Sequence, residues 1–383
     1  MVRNPFVLSA NIPAEFFCDR EKETERLIQL LINHNNVTLI SPRRMGKSGL
    51  INHCFQKKEL RENYVTLYVD ILQTSSFKEF VYLFGKAVYD NIVPKTSKWI
   101  QKFFQNLKSL NGKISFDAIT GLPTFNMTFG EIINPGFTLD EIFGFIRDFD
   151  KRCIIAIDEF QQITRYPEKN VEEILRTHIQ QQNQANFIFS GSERHIMSEM
   201  FLSYSRPFYN STAIMTLEAI PEEKYMEFAK YQFKKYGKEI GEEAVHLLYK
   251  QFEGYTYYLQ KSLNEAFFQT AENGICDRDN LRKAIEGILE DNSTKFREIL
   301  SNIPERQKDL LYAIAIEGEA GMLTSSAFIK KYNLLSASSV QAATKALLDK
   351  DYITKLEGRY SLTDKFLSLW IKMIYGPNFI LLG

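Results

Sequence analysis

Two short runs of this 383-residue chain hold side chains that could do chemistry together. The first is Gly46-Lys47-Ser48, which follows Ser41-Pro42-Arg43-Arg44-Met45 and precedes Gly49. A loop that leaves a strand and opens a helix presents unpaired N–H groups and the positive end of the helix dipole, a setting that favours phosphate. Lys47 would place a point charge on the β- and γ-phosphates of a nucleotide, and the Ser48 hydroxyl would supply a ligand to Mg²⁺. The second run is Asp158-Glu159, which closes the apolar stretch Cys153-Ile154-Ile155-Ala156-Ile157. Asp158 would hold Mg²⁺ through water, while Glu159 would orient and deprotonate the attacking water. Each run also has a plainer reading, the first as a surface turn and the second as an acidic cap on the next helix. The first departs from G-x-x-x-x-G-K-[ST], because Ser41 stands at the first glycine.

The elements around these runs decide between the readings. Short apolar, β-rich stretches at residues 37–40, 65–70, 153–157, 186–191 and 213–217 read as strands, with helical periodicity at about 21–33, 77–91, 139–149 and 171–182. Such alternation predicts a parallel sheet with both faces covered, whose ligands collect at the carboxyl ends of the strands. Ser41, Asp70, Asp158-Glu159 and Ser190 all fall at such ends, so the two runs support each other. The strand before Ser190 is expected to lie between the other two, which places Ser190 to touch the γ-phosphate or the water; a strand-end cap is the alternative. Arg206 and Arg194 are candidates for a positive charge on the γ-phosphate, acting in cis or across a subunit boundary, with a surface ion pair as the alternative. Arg43 and Arg44 could serve phosphate, the packing of the loop or a partner carboxylate.

Outside this core the pattern changes. Residues 1–20 read as an irregular arm, and 99–136 as an insertion in which runs at 113–116 and 124–129 are candidates for a hairpin. Helical patterns dominate 222–296, interrupted at Gly254 to Gln260, and no further parallel strand is evident beyond Pro221. In the tail, helices at 304–316, 325–332 and 336–350 precede strands at 352–356 and 359–362 that flank Glu357-Gly358, the layout of a winged helix. The expected domains are therefore an arm (1–20), a parallel-sheet domain (21–220), a helical lid (221–295) and a winged helix (296–383).

Lysine plus arginine equals aspartate plus glutamate at 47 each, which excludes a global basic field drawing the chain to nucleic acid or acidic lipid. In the third tail helix Ser336, Ser338, Ser339, Gln341, Thr344 and Lys345 could face a DNA groove. Lys345 and Lys350 are nearly offset by Asp349 and Asp351, so counterion release would contribute little, and a protein-contact or nucleotide-sensing module is preferred. The four cysteines are dispersed without a C-x-x-C pair, which suits buried thiols better than zinc or disulfides. With no apolar run of 18 residues and no leader pattern, a cytoplasmic protein with no membrane partner is expected.

The motifs also resemble, in order, those of the archaeal-type ATPase family, in the STAND branch of the AAA-like P-loop ATPases. The likeness rests on N-P-F near the start, F-F-C-D-R-E from Phe16, L-I-S-P-R-R-M-G-K-S-G-L from Leu39, I-I-A-I-D-E-F-Q from Ile154, F-S-G-S from Phe189 and R-P-F-Y from Arg206. It implies an α/β P-loop NTPase core with an AAA-like parallel sheet. Residues Ser41 to Ser48 would cradle ATP or ADP, with Lys47 on the β- and γ-phosphates and Ser48 and Asp158 serving Mg²⁺. Glu159 would be the catalytic glutamate, Ser190 the sensor, and Arg20 would help close the pocket from the N-terminal side. Thr256 departs from the family, where proline is frequent. The implied function is slow ATP hydrolysis as a switch that positions the winged helix, with a homo-oligomer or another protein as partner. A DNA-binding regulator with secondary ATPase activity and a non-hydrolysing nucleotide-bound scaffold are the alternatives.

Overall fold

The computed structural model describes residues 3–94, 96–107, 115–116, 123–124, 132–377 and 379–382. The chain divides into two compact units, residues 9–218 and residues 1–8 with 219–383.

In the first unit, five strands form one parallel sheet: β1 (Val37–Ile40), β2 (Val65–Asp70), β3 (Cys153–Asp158), β4 (Ala185–Gly191) and β5 (Ala213–Thr216). Their order is β2-β3-β4-β1-β5, so β4 lies between β1 and β3 as expected. Every residue of β3 and β4 is buried, which explains why both read as continuous apolar runs and not as alternating ones. Successive side chains still go to opposite faces. Ile154, Ala156 and Ile188 join a core with Leu27 and Leu31 of α1 (Glu21–Ile32) and with Leu50 and Ile51 of α2 (Lys47–Gln56). On the other face Ile155, Ile157, Phe187 and Phe189 meet Phe80 and Phe84 of α3 (Phe77–Asn91) and Phe143 of α4 (Pro135–Arg147). The Asn134 carboxamide caps α4 by accepting from the Phe137 N–H at 3.1 Å, and Pro135 fills its first position.

The stretch read as an insertion contains a helix, Ser97–Asn106, whose Trp99 and Phe103 pack at 5.1 Å from Phe149 and 4.9 Å from Phe145 between ring centroids. Two residue pairs, Ser115 with Thr124 and Phe116 with Pro123, are antiparallel. The remainder of the candidate hairpin lies outside the described residues.

The second unit includes the chain start. Phe6 is fully buried among Phe228, Phe233 and Phe267, and its carbonyl accepts from Asn264 Nδ2 at 2.7 Å while Asn4 Nδ2 donates to the Asn264 carbonyl at 2.8 Å. Five helices follow, Glu222–Lys235, Glu242–Phe252, Thr256–Gln269, Arg278–Asp291 and Ser293–Ser301. A parallel pair, Glu239–Ile240 with Ile275–Cys276, corrects the expectation of no further parallel strand; two residues per strand are too few to leave a periodicity. The interruption expected over Gly254 to Gln260 is shorter: Glu253 and Gly254 have positive φ, at 51° and 72°, and Thr256 already opens the next helix, so the aromatic run from Tyr255 to Tyr258 belongs mostly to a helix. A Cβ on Gly254 would stand 2.6 Å from the Ala219 Cβ.

The tail has helices Glu305–Glu317, Ser326–Lys331 and Ala337–Asp349, then strands Ile353–Leu356 and Arg359–Leu362. Glu357 and Gly358, with φ of 49° and 82°, make the two-residue turn whose twist suits a hairpin. A closing helix, Lys365–Tyr375, is capped by Asp364 and has no counterpart in the elements expected from the sequence. The four cysteines are buried and free, as expected. Among the described residues no helix is long and apolar enough to cross a membrane.

Candidate functional site

β1 ends at Ile40, and the chain reaches α2 through the loop Ser41 to Gly46. Gly46 caps α2 with φ of 93°, and a Cβ there would meet nothing within 4 Å, so conformation and not space demands glycine. Lys47 is 6% exposed, and its Nζ donates to the carbonyls of Ser41 at 3.0 Å and Pro42 at 3.1 Å. Burial lowers the pKa of this ammonium, opposed by the carboxylates of Glu159 and Asp158. A Cβ on Gly49 would come to 3.4 Å from Ile12 Cδ1, so the segment before α1 packs against the first turn of α2.

Across β4, Asp158 completes the arrangement. Its Oδ2 accepts from Ser48 Oγ at 2.9 Å and from the Tyr68 hydroxyl, and its Oδ1 accepts from the Glu159 N–H at 3.0 Å. Burial and the neighbouring Asp158 carboxylate raise the pKa of the Tyr68 phenol, which therefore stays a donor. A hydroxyl and a carboxylate in contact suit Mg²⁺, a hard cation that takes one or two carboxylates and fills its shell with water and phosphate oxygen. No cluster of three His, Cys, Asp or Glu suited to a metal occurs among the described residues. Asp70, the register partner of Asp158, has its carboxyl pushed up by burial, with the Asp158 and Glu159 charges adding to it.

Glu159 has φ of 56°, and its Oε2 accepts from Gln161 Nε2 at 2.6 Å and Ser192 Oγ at 2.7 Å. Arg43 Nε donates to the same Ser192 hydroxyl at 3.2 Å, which links the loop to the carboxylate. Gly191 leaves room for this: a Cβ there would sit 2.5 Å from Gln161 Oε1 and from Met197 Sδ. Ser190 is fully buried beside Leu39 of β1, and its hydroxyl has no partner among the described residues.

The residues read from the sequence thus separate into two sets. Ser41, Pro42, Arg43, Lys47, Ser48, Asp158 and Glu159 form one bonded neighbourhood, flanked by buried Met45 and by Arg44 with φ of 69°. Arg206 and Arg20 are held by other partners. Arg206 pairs with Glu172 at 2.5 Å and Glu199 at 3.6 Å. Arg20, 4% exposed, donates to Glu23 at 2.7 Å and to the Glu218 carbonyl at 2.6 Å. Arg194 opens the helix Arg194–Leu202. Tyr68, Gln161 and Ser192 are the polar members that sequence reasoning missed. Tyr68 lies in a strand already assigned to this edge, and Gln161 and Ser192 close two of the runs that carry the family resemblance, signals that could have found them.

A family model described as an ATPase domain predominantly from Archaea matches residues 17–262, and one described as a probable winged helix domain matches residues 294–373. An uncharacterized ATP-binding protein of Methanocaldococcus jannaschii is 28% identical over 159 residues, which is 39% of this chain and 44% of that protein, so the match spans less than half of the relative. Among solved structures, a Walker-type ATPase of Pyrococcus abyssi aligns over 96% of this chain and 99% of its own, with a TM-score of 0.64 at 18% identity. The ORC2 protein of Aeropyrum pernix aligns over 98% and 99%, with a TM-score of 0.57 at 12% identity. At these identities the structures share the fold. The α/β core with its parallel sheet and phosphate-type loop agrees with the ATPase model, the C-terminal three helices and hairpin agree with the winged-helix model, and the protein belongs to the ATPase family found predominantly in Archaea.

Proposed function

We propose that the protein is a slow, Mg²⁺-dependent ATPase of the STAND type, in which nucleotide state governs the winged-helix domain. The contact of Ser48 with Asp158, at 2.9 Å across the intervening strand, carries this reading, because it unites the loop with the acidic strand end. Ser41 to Gly49 would cradle the triphosphate through backbone N–H groups at the start of α2. Lys47 would exchange its two loop carbonyls for β- and γ-phosphate oxygens, and Ser48 and Asp158 would hold Mg²⁺, which offsets phosphate charge. Glu159 would take the proton of the attacking water, and the unpartnered Ser190 hydroxyl would bind the γ-phosphate or that water. Contact of Arg206 or Arg20 with nucleotide would compete with Glu172 and Glu218. The A. pernix ORC1 structure contains DNA, but the offset charges around Lys345 make DNA the second reading here.

Titration with ATP in Mg²⁺ and in EDTA tests the reading: binding should require Mg²⁺. Glu159→Gln should spare binding and lower turnover by about 10²-fold or more. Absence of binding at millimolar nucleotide, or unchanged turnover in Glu159→Gln, would refute it. Light scattering with ADP against a non-hydrolysable ATP analogue tests the switch, which requires a change of shape or assembly.

A further inference from the structure

We propose that Ser192 and Gln161 are positioning residues for the carboxylate of Glu159, and that Arg43 ties them to the phosphate loop. The inference rests on the ATPase reading above and extends it to residues beyond Gly46-Lys47-Ser48 and Asp158-Glu159, to which the sequence assigns no role. A general base must present one oxygen to a water in a fixed direction. A glutamate side chain in an open site turns about three bonds and does not do this unaided. Here Oε2 is fixed from two sides, by Gln161 Nε2 at 2.6 Å and by Ser192 Oγ at 2.7 Å, and both donors come from different elements. With Oε2 engaged, Oε1 is the oxygen presented to water. The donors are themselves held. Gln161 is fully buried and fits only because residue 191 is glycine. Ser192, 9% exposed, has its single proton committed to Glu159, because its oxygen accepts from Arg43 Nε at 3.2 Å. Accepting from a guanidinium also makes that hydroxyl a stronger donor. Arg43 lies in the loop that would meet the triphosphate, so filling the loop acts on the orientation of the base through one side chain. This gives Arg43 a role distinct from contact with phosphate alone.

The test compares wild type with Ser192→Ala, Ser192→Thr and Gln161→Leu, measuring steady-state turnover and the ATP Kd of each. Removing one tether should lower kcat about 10- to 100-fold while the ATP Kd stays within about twofold, and Ser192→Thr, which keeps the hydroxyl, should recover most of the rate. Damage to the fold would instead weaken ATP binding and lower the unfolding midpoint together. Ser192→Ala and Gln161→Leu both turning over as fast as an active wild type overturns this inference and leaves the ATPase reading standing. Wild type without Mg²⁺-dependent turnover removes that reading, and this inference with it.

Discussion

Replacing Lys47 by methionine separates what the site does for ligand from what it does for the fold. Methionine keeps the unbranched stem and removes the charge. Two effects oppose each other in the nucleotide-free protein. The carbonyls of Ser41 and Pro42 lose a donor, a cost of up to about 1–2 kcal/mol, reduced because Pro42 is only half-buried and water can serve its carbonyl. Against this, an ammonium that is 6% exposed no longer has to be dehydrated. The net change should lie within about 1 kcal/mol of zero. Ligand linkage is much larger: ATP with Mg²⁺ at 100 times its Kd adds about 2.7 kcal/mol to wild type. For the unit spanning residues 9–218 that raises the midpoint by roughly 5–11 °C. Calorimetry of both proteins, with and without Mg²⁺-ATP, should show this rise in wild type and its loss in Lys47→Met, with similar nucleotide-free midpoints. The pH dependence has a definite sign. Burial depresses the folded pKa of Lys47, so its penalty on wild type is full at neutral pH and fades as pH rises through the folded pKa towards 10.5. Any stability advantage of Lys47→Met should therefore shrink in alkali. A variant that keeps the ATP-induced rise, or that loses more than about 2 kcal/mol without nucleotide, would refute the reasoning.

Two further outcomes follow from other parts of the chain. Tyr68→Phe removes one of the two side-chain donors on Asp158 Oδ2, and by analogy with lost outer-shell partners the Mg²⁺ concentration for half-maximal turnover should rise about tenfold; an unchanged Mg²⁺ titration would show that Tyr68 does not orient Asp158. Phe6→Ala empties a fully buried position among three phenylalanines at a cost of about 3–5 kcal/mol, so thermal unfolding should lose at least about 6 °C from the transition of the unit that contains residues 219–383, and an unmoved transition would detach the N-terminal segment from that unit.

The sheet was legible because β3 and β4 are buried on both faces, and such strands must be continuous apolar runs whatever their neighbours. The meeting of Ser48 with Asp158 was legible for a related reason, since parallel strands bring their carboxyl ends to one edge. Side-chain partners across that edge carry no such rule. Nothing in the spacing of Gln161 and Ser192, 31 residues apart, announces that both donate to one oxygen of Glu159. Arg206 shows the opposite case, a residue whose type suited the γ-phosphate and whose nearest carboxylate is Glu172 on the helix Val171–Gln180. The helix Ser97–Asn106 was hidden because turn signals just downstream dominated a ten-residue segment whose apolar positions serve one local aromatic cluster. Burial of Phe6 in the second unit depends on a contact with residues more than 200 positions away, which no local pattern encodes.

Backbone conformation identifies the same residues without reference to motifs. In the described part of residues 9–218, the positive-φ positions other than glycine are Asp19, Arg20, His34, Arg44, Glu159, Asn170 and Asn210. Aspartate, asparagine and histidine enter this region at little cost in ordinary turns. Arg20, Arg44 and Glu159 remain, with φ of 76°, 69° and 56°; Glu159 and Arg44 are candidates from the motifs, and Arg20 is one that the resemblance implies. A left-handed arginine or glutamate costs roughly 1–3 kcal/mol and persists where the surroundings over-determine it, as the bonds on Arg20 and Glu159 do. The same edge holds a dehydrated ammonium at Lys47 and a buried hydroxyl at Ser190 without a partner among the described residues. Within residues 9–218, Arg44, Lys47, Glu159 and Ser190 break local preferences around one loop and one sheet edge, where the ATPase reading requires charge and water to be handled.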